Sequence, residues 1–285
     1  MPVERPVTFA GAVAVPVERP ATLAGAVAVL VAANVLNNRV APRLAPLTSA
    51  VAVGTLLALA RRSGLSWSQL GFHRRSRGLR IGGVLASAVA GVYGAGIALP
   101  ATRRLFRDER ALSLSRARVI EEALLQVPVG TVLLEEVGFR GVLHALVARS
   151  HGAATATAVS SALFGLWHVL PALDMMTANP ALGRLTAGET SGDGPVPGAP
   201  VPDPPGGPST REALRVVTGS VVATGIAGVF FCELRRRGGL AAPALFHVAT
   251  NSLGYLFARL APEDAGRVGD RLTARGNGPG PSARS

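Results

Sequence analysis

The sequence predicts an all-α protein, a polytopic bundle of about seven transmembrane helices with a polar layer inside the membrane. Two of the three supporting observations concern composition: apolar residues make up 48% of the 285 residues and charged residues only 16%, and the mean hydropathy is +0.36. The third is that the apolar residues cluster into runs of about 18 residues, the length that crosses a hydrocarbon core of about 30 Å. Helices are required because a lipid-exposed backbone must satisfy its own hydrogen bonds.

Apolar runs of spanning length recur along the whole chain, and each predicts one transmembrane helix. They cover residues 21–38, 44–60, 81–101, 123–148, 152–173, 213–232 and 238–258. The second run is the shortest and the third is rich in glycine, so either is a candidate for a partly re-entrant segment. We therefore expect seven spans, give or take one.

The composition also divides the chain into four parts. These are an N-terminal extension at 1–20, N-terminal transmembrane helices and arginine-rich loops at 21–118, a transmembrane core at 119–260, and a tail at 261–285. The extension begins a tandem 14-residue duplication that continues into the first span, and we do not expect a cleaved signal peptide there. Within the core, a loop at 186–210 is rich in proline and glycine, and we expect it and the tail to be disordered.

The basic residues indicate a membrane protein rather than a nucleic-acid-binding one. All 29 basic residues are arginine, the formal net charge is +12, and the arginines cluster in loops beside apolar runs. This pattern is typical of positive cytoplasmic loops, so we place residues 61–80 and 235–237 on the cytoplasmic side of an inner or plasma membrane. The arginine-rich stretch at 103–118 does not fit that orientation. The single cysteine, Cys232, excludes an intramolecular disulfide and a cysteine-based zinc site.

Three of the apolar runs contain groups that hydrocarbon excludes. The runs read LLEEVGFRGVLHALV, SALFGLWHVLPA and AAPALFHVATNSLG. Their polar residues are Glu135, Glu136, Arg140, His168, His247 and Asn251. A charge at the centre of a bilayer costs about 2.5–3.5 kcal/mol on insertion scales, so such a residue normally marks function.

Spacing predicts how these groups are arranged. Glu136 and Arg140 are four residues apart, so they stack on one helix face and can form an ion pair, which leaves Glu135 free. His247 and Asn251 have the same spacing, and we expect their polar tips to converge. A short connector at 149–152 predicts a helical hairpin that sets Glu135 opposite His168. A buried layer of two acids, two histidines and an asparagine resembles a hydrolytic site, although a polar network that only holds helices together remains an alternative.

The same residues carry a family resemblance. EEVGFRG, FGLWH and HVATN resemble, in order, the EExxxR, FxxxH and HxxxN motifs of the CAAX prenyl protease and bacteriocin-processing family of intramembrane glutamic proteases. The resemblance covers about residues 119–256 and implies intramembrane hydrolysis of a membrane-associated peptide or protein. It further implies that Glu135 and His168 activate water, that His247 and Asn251 form the oxyanion hole, and that Glu136 and Arg140 hold the site together.

The chemistry leaves alternatives open. Two glutamates and two histidines could bind zinc, but the sequence lacks HExxH, so we expect no cofactor and keep zinc as the less favoured choice. A non-catalytic immunity factor or scaffold would keep the same fold, and a proton-coupled transporter would also use intramembrane Glu and His. We interpret His144, Trp67 and Trp167 as packing or interfacial residues.

Overall fold

A computed structural model describes residues 20–188 and 210–261, and within these two ranges the regular structure is entirely helical. The predicted all-α fold is therefore confirmed. The tandem repeat up to residue 19, the loop at 189–209 and the tail from residue 262 lie outside the described residues, so the expectations for them stay predictions.

The described ranges contain twelve α-helices, several of which are short. They are α1 (Pro20–Val35), α2 (Ala45–Arg62), α3 (Arg75–Ala98), α4 (Pro100–Arg103), α5 (Glu109–Ser113), α6 (Arg116–Glu121), α7 (Leu133–Glu135), α8 (His144–Trp167), α9 (Val169–Ala178), α10 (Pro180–Thr186), α11 (Thr210–Gly238) and α12 (Ala241–Leu260). Three π-helices adjoin them: π1 (Leu36–Val40) after α1, and π2 (Glu122–Val132) and π3 (Glu136–Leu143) on either side of α7. Short 3₁₀ turns at Pro42–Leu44 and Arg104–Phe106 complete the connections.

Four helical segments of the described chain are long and apolar enough to cross a membrane. They are Pro20–Val40, Pro42–Arg62, Arg75–Ala98 and Thr210–Gly238. A fifth span is added if the segment Arg116–Trp167 and helix α9, bent by 42° at their junction, are counted as one. The chain is thus a multi-pass membrane protein, but the predicted count of seven is not confirmed. Helix α12 has 20 residues but is not among these segments, and it contains the polar residues His247 and Asn251.

The segment from α6 to α8 reverses direction at Gly152, inside the connector that predicted a hairpin. Gly152 has φ +81° and ψ 167°, a conformation that residues with a side chain rarely adopt. On the two sides of this bend, the Ser160 hydroxyl donates to the Phe139 carbonyl at 2.9 Å, and Thr157 Oγ1 lies 3.4 Å from His144 Nε2. The two legs therefore run antiparallel and bring the end of α8 alongside α7.

The centre of the bundle is the helical stretch at 134–147, in which every residue is buried. It carries Glu135, Glu136 and Arg140, so three charged side chains lie within a fully buried stretch. The outer helices instead expose large apolar side chains, such as Val84 at 71% and Leu124 at 72%. Such a surface is suited to contact with lipid. Lipid offers no hydrogen-bond partners, so the buried polar side chains must interact with groups inside the bundle.

Glycines allow the outer helices to approach closely. A Cβ atom added at Gly165 of α8 would lie 2.5 Å from the Val221 carbonyl oxygen of α11, and one added at Gly228 of α11 would lie 3.0 Å from Ser161. Membrane helices pack through such small residues because lipid provides no hydrophobic force between them. The contact between α8 and α11 holds the second motif against the bundle.

We predict that Gly165→Ala separates α8 from α11 and destabilises the protein by about 1–3 kcal/mol, because the new methyl group meets backbone that cannot move aside. Thermal melting in detergent measures the effect. Gly83→Ala in α3 is the matched control, since its Cβ would meet nothing within 4 Å, and it should leave the melting temperature unchanged or raise it. Equal melting temperatures for the two variants would contradict this account of the interface.

Candidate active site

Glu135 lies at the end of α7 and has one carboxylate oxygen anchored. Its Oε1 accepts a hydrogen bond from the indole Nε1–H of Trp167 at 2.8 Å, and its Oε2 lies 3.5 Å from Nε2 of His247. The residue is 2% exposed, and Oε2 has no hydrogen bond with the described residues. Glu135 is therefore fixed in position while keeping an unbonded oxygen.

His247 of α12 lies between the two neighbouring glutamates. Its Nδ1 is 2.8 Å from Oε1 of Glu136, and its Nε2 points towards Glu135. Because a carboxylate only accepts hydrogen bonds, Nδ1 carries the hydrogen in the bond to Glu136. The imidazole thus connects the side chains of two consecutive residues on the central helix, and it joins the third motif to the first.

Arg140 is completely buried and is held mainly by aromatic rings. Its Nη1 lies 3.6 Å from Oε1 of Glu136, which is the predicted pairing over four residues but is longer than a hydrogen bond. The guanidinium carbon lies 3.7 Å from the ring centre of Phe164 and 4.7 Å from that of Phe231. Both distances are within the range of cation–π attraction. The Arg of the first motif therefore contacts the Phe of the second.

His168 and Asn251 line a cavity of about 740 Å³ together with Glu135, called the larger cavity below. The Nδ1 atom of His168 lies 2.8 Å from the Phe164 carbonyl oxygen, and since a carbonyl only accepts, Nδ1 carries the hydrogen. In the neutral ring Nε2 then has a lone pair. Asn251 accepts a long hydrogen bond of 3.4 Å from the Thr250 hydroxyl at its Oδ1. Both side chains can meet a molecule that enters the cavity.

The arrangement differs from the one expected for the third motif. His247 and Asn251 were expected to converge, but His247 is turned behind the cavity wall by its bond to Glu136, and only Asn251 lines the cavity. Glu135 and His168 share the cavity wall without a direct hydrogen bond in the described structure. The six predicted residues thus form two groups. Glu135, His168 and Asn251 line the larger cavity, and Glu136, Arg140 and His247 are buried behind it.

Two contributors to the site were not assigned to it from the sequence. Trp167 was interpreted as a packing or interfacial residue, yet its indole holds Glu135, and its carbonyl accepts from Nδ2 of Asn34 in α1 at 3.0 Å. The hairpin contained a usable signal, because Trp167 and Glu135 are each 16 residues from residue 151. Phe231, which encloses Arg140 and lies 4.9 Å from the His247 ring, belongs to none of the motifs, and no sequence signal indicated it.

The donor geometry does not fit a metal site. Among residues 20–188 and 210–261, no group of three or more His, Cys, Asp or Glu side chains is arranged to hold a metal ion. A zinc site from Glu135, His168 and His247 would need three converging donors. His247 has both nitrogens directed at carboxylates instead.

Fold and site together define a class: a multi-pass helical membrane protein with a buried carboxylate–imidazole cluster beside a cavity. The comparison with protein families is more specific. Residues 122–253 match the family described as Rce1-like, type II CAAX prenyl endopeptidase Rce1-like. The match includes all three motifs and confirms the resemblance that the motifs predicted. No curated protein and no solved structure matches the chain.

We predict that Arg140→Ala lowers the melting temperature as well as any activity. Removing one partner of a buried ion pair costs on the order of 3–5 kcal/mol, because Glu136 would keep a buried charge without its cation. Thermal melting in detergent measures this, with Arg77→Ala, an exposed arginine of α3, as the control that melts normally. Unchanged melting of Arg140→Ala with loss of activity would place Arg140 in the chemistry instead.

Proposed function

We propose that the chain is an intramembrane endopeptidase of the inner or plasma membrane that hydrolyses a peptide bond of a membrane-associated peptide or protein. The observation that carries this proposal is the state of Glu135. Its carboxylate is buried, held at one oxygen by Trp167 and unbonded at the other, and it lines a cavity of about 740 Å³. A general base needs a carboxylate that is held in a fixed position beside a space that water and substrate can enter.

The other residues have distinct roles in the proposed reaction. Glu135 removes a proton from water, assisted by the lone pair on His168, and the water oxygen bonds to the peptide carbonyl carbon. Asn251 donates its amide hydrogens to the oxyanion that forms. The proton then passes from Glu135 to the nitrogen of the leaving amine as the carbon–nitrogen bond breaks. A new carboxylic acid and an amine are the products, so one water is consumed per bond.

The three residues behind the cavity position this machinery. His247 keeps the two carboxylates at fixed separation through contacts with both. Glu136 and the ring-enclosed Arg140 hold His247 and the second motif in register. In this proposal His247 acts through Glu135 rather than on the oxyanion, because it does not line the larger cavity.

We predict that Glu135→Gln abolishes cleavage, lowering kcat by about 10²–10⁴-fold, the usual contribution of a general base. Comparative membrane proteomics of cells with the wild-type chain or Glu135→Ala should first reveal a protein that accumulates uncleaved. The purified variants are then assayed on that substrate, with Glu109→Gln, an exposed glutamate of α5, as the control that keeps full activity. Near-normal turnover by folded Glu135→Gln would exclude Glu135 as the base, whereas a wild-type chain that cleaves no protein would support the alternative of a non-catalytic immunity factor or scaffold.

We further propose that the reaction requires no metal, and we predict that the purified active protein contains far less than one zinc per chain. Glu135, the candidate base, would be consumed as a ligand in a zinc site, and Glu136 is already bonded to His247. Elemental analysis and activity in excess chelator check this, and the rate should not change. Stoichiometric zinc with chelator-sensitive, zinc-restorable cleavage would overturn the metal-free proposal.

A further inference from the structure

A second cavity of about 240 Å³ also reaches Glu135, and we call it the smaller cavity. Its lining includes Asn37, Arg43, Glu122 and Gln126, and none of these lines the larger cavity. Conversely, His168 and Asn251 line only the larger cavity. Glu135 and Thr131 are among six residues that line both cavities. The candidate base therefore lies where the two cavities adjoin, and the smaller one has polar side chains in its wall and room for several water molecules.

The π-helical register of π2 creates the polar lining of the smaller cavity. Glu122, Gln126, Thr131 and Glu135 are separated by four, five and four residues, and all four line the smaller cavity. In an α-helix, Thr131 would lie roughly 180° around the axis from Glu122, at about 100° per residue. A π-helix bonds to the fifth residue and so turns once in slightly more than four residues. The wider turn aligns these side chains in one stripe that leads to Glu135.

The outer end of this stripe lies at the edge of the bundle. Gln126 donates through Nε2 to the carbonyl of Arg43 at 3.2 Å, within the 3₁₀ turn that joins the first two spans. Glu122 is paired with Arg118 at 3.0 Å, and this pair is partly exposed. Connections between spans lie at the aqueous edge of a membrane, since irregular backbone is not tolerated against lipid. The smaller cavity thus connects that edge with the buried carboxylate.

Resting on the proposed hydrolysis, we propose that the smaller cavity is a water branch. It supplies the water that each cleavage consumes, and it lets Glu135 exchange protons while the peptide fills the larger cavity. Lipid surrounds the bundle and a bound peptide blocks the larger cavity, so the base needs a separate aqueous connection. Gln126 and Thr131 hold the water in line, since both side chains line the smaller cavity.

Thiol labelling tests whether water enters this branch. In a Cys232→Ser background, Gln126→Cys in proteoliposomes should react with a small water-soluble methanethiosulfonate reagent, because only a hydrated thiol ionises to the reactive thiolate. Leu125→Cys is the matched control, since Leu125 adjoins Gln126 on the same helix but is exposed on the apolar outer surface, and it should not react. An unreactive Gln126→Cys, or equal labelling of the two positions, would overturn the water branch.

Kinetics test whether the branch serves the reaction. Gln126→Leu should lower kcat about tenfold, and so should Thr131→Val, in which the side chain keeps nearly the same shape. The KM of Gln126→Leu should not change, because Gln126 does not line the larger cavity. Leu125→Ala should keep both constants. Full kcat in both variants would overturn the proposal even if Gln126→Cys is labelled. A wild-type chain that cleaves no protein would instead refute the hydrolytic function itself, while the labelling experiment would still report on water entry, so the two failures are distinguishable.

Discussion

The constraint on which this structure depends is the pairing of buried charges inside a bundle whose outer surface is apolar. Glu135, Glu136 and Arg140 lie on a helix with no exposed face, where a charge without a partner is strongly unfavourable. Their partners come from other helices: an indole from α8, an imidazole from α12 and aromatic rings from α8 and α11. These helices must therefore converge on the central helix, and the glycine contacts between α8 and α11 allow them to do so.

Two π-helices, π2 and π3, lie on either side of Glu135 and set the direction of the side chains near it. Glu135 ends a three-residue α-helix between π2 and π3. π-Helical turns are frequent at functional sites, and they change which side chains share a helix face. Here the change directs Glu122, Gln126 and Thr131 to the smaller cavity, in line with Glu135. The family match begins at Glu122, the first residue of π2. The segment shared with the family therefore includes this irregular helix as well as the three motifs.

The sequence predicted features that depend on spacing along one helix or on hydropathy. The all-helical class, the hairpin at Gly152 and the pairing of Glu136 with Arg140 are of this kind. It did not predict that His247 bonds to Glu136, because ring orientation depends on an acceptor 111 residues away. The π-helices were missed since periodicity arguments assume 3.6 residues per turn. The predicted count of seven spans is not confirmed, because hydropathy alone does not show how the polar motif helices, α12 among them, are accommodated.

The separation of the site into a cavity-lining group and a buried group also suits the proposed chemistry in a medium of low polarity. When Glu135 accepts a proton from water, negative charge moves from the carboxylate to the attacking oxygen and then to the oxyanion, so the net charge inside the membrane does not change. Only its position changes, by a few ångströms across the larger cavity. Arg140 and His247 are fixed by the rings and by Glu136, so they need not reorganise as the charge moves. Preorganised groups of this kind provide most of the electrostatic stabilisation in enzymes, and here the same contacts that make the charges tolerable in the fold hold them ready for the reaction.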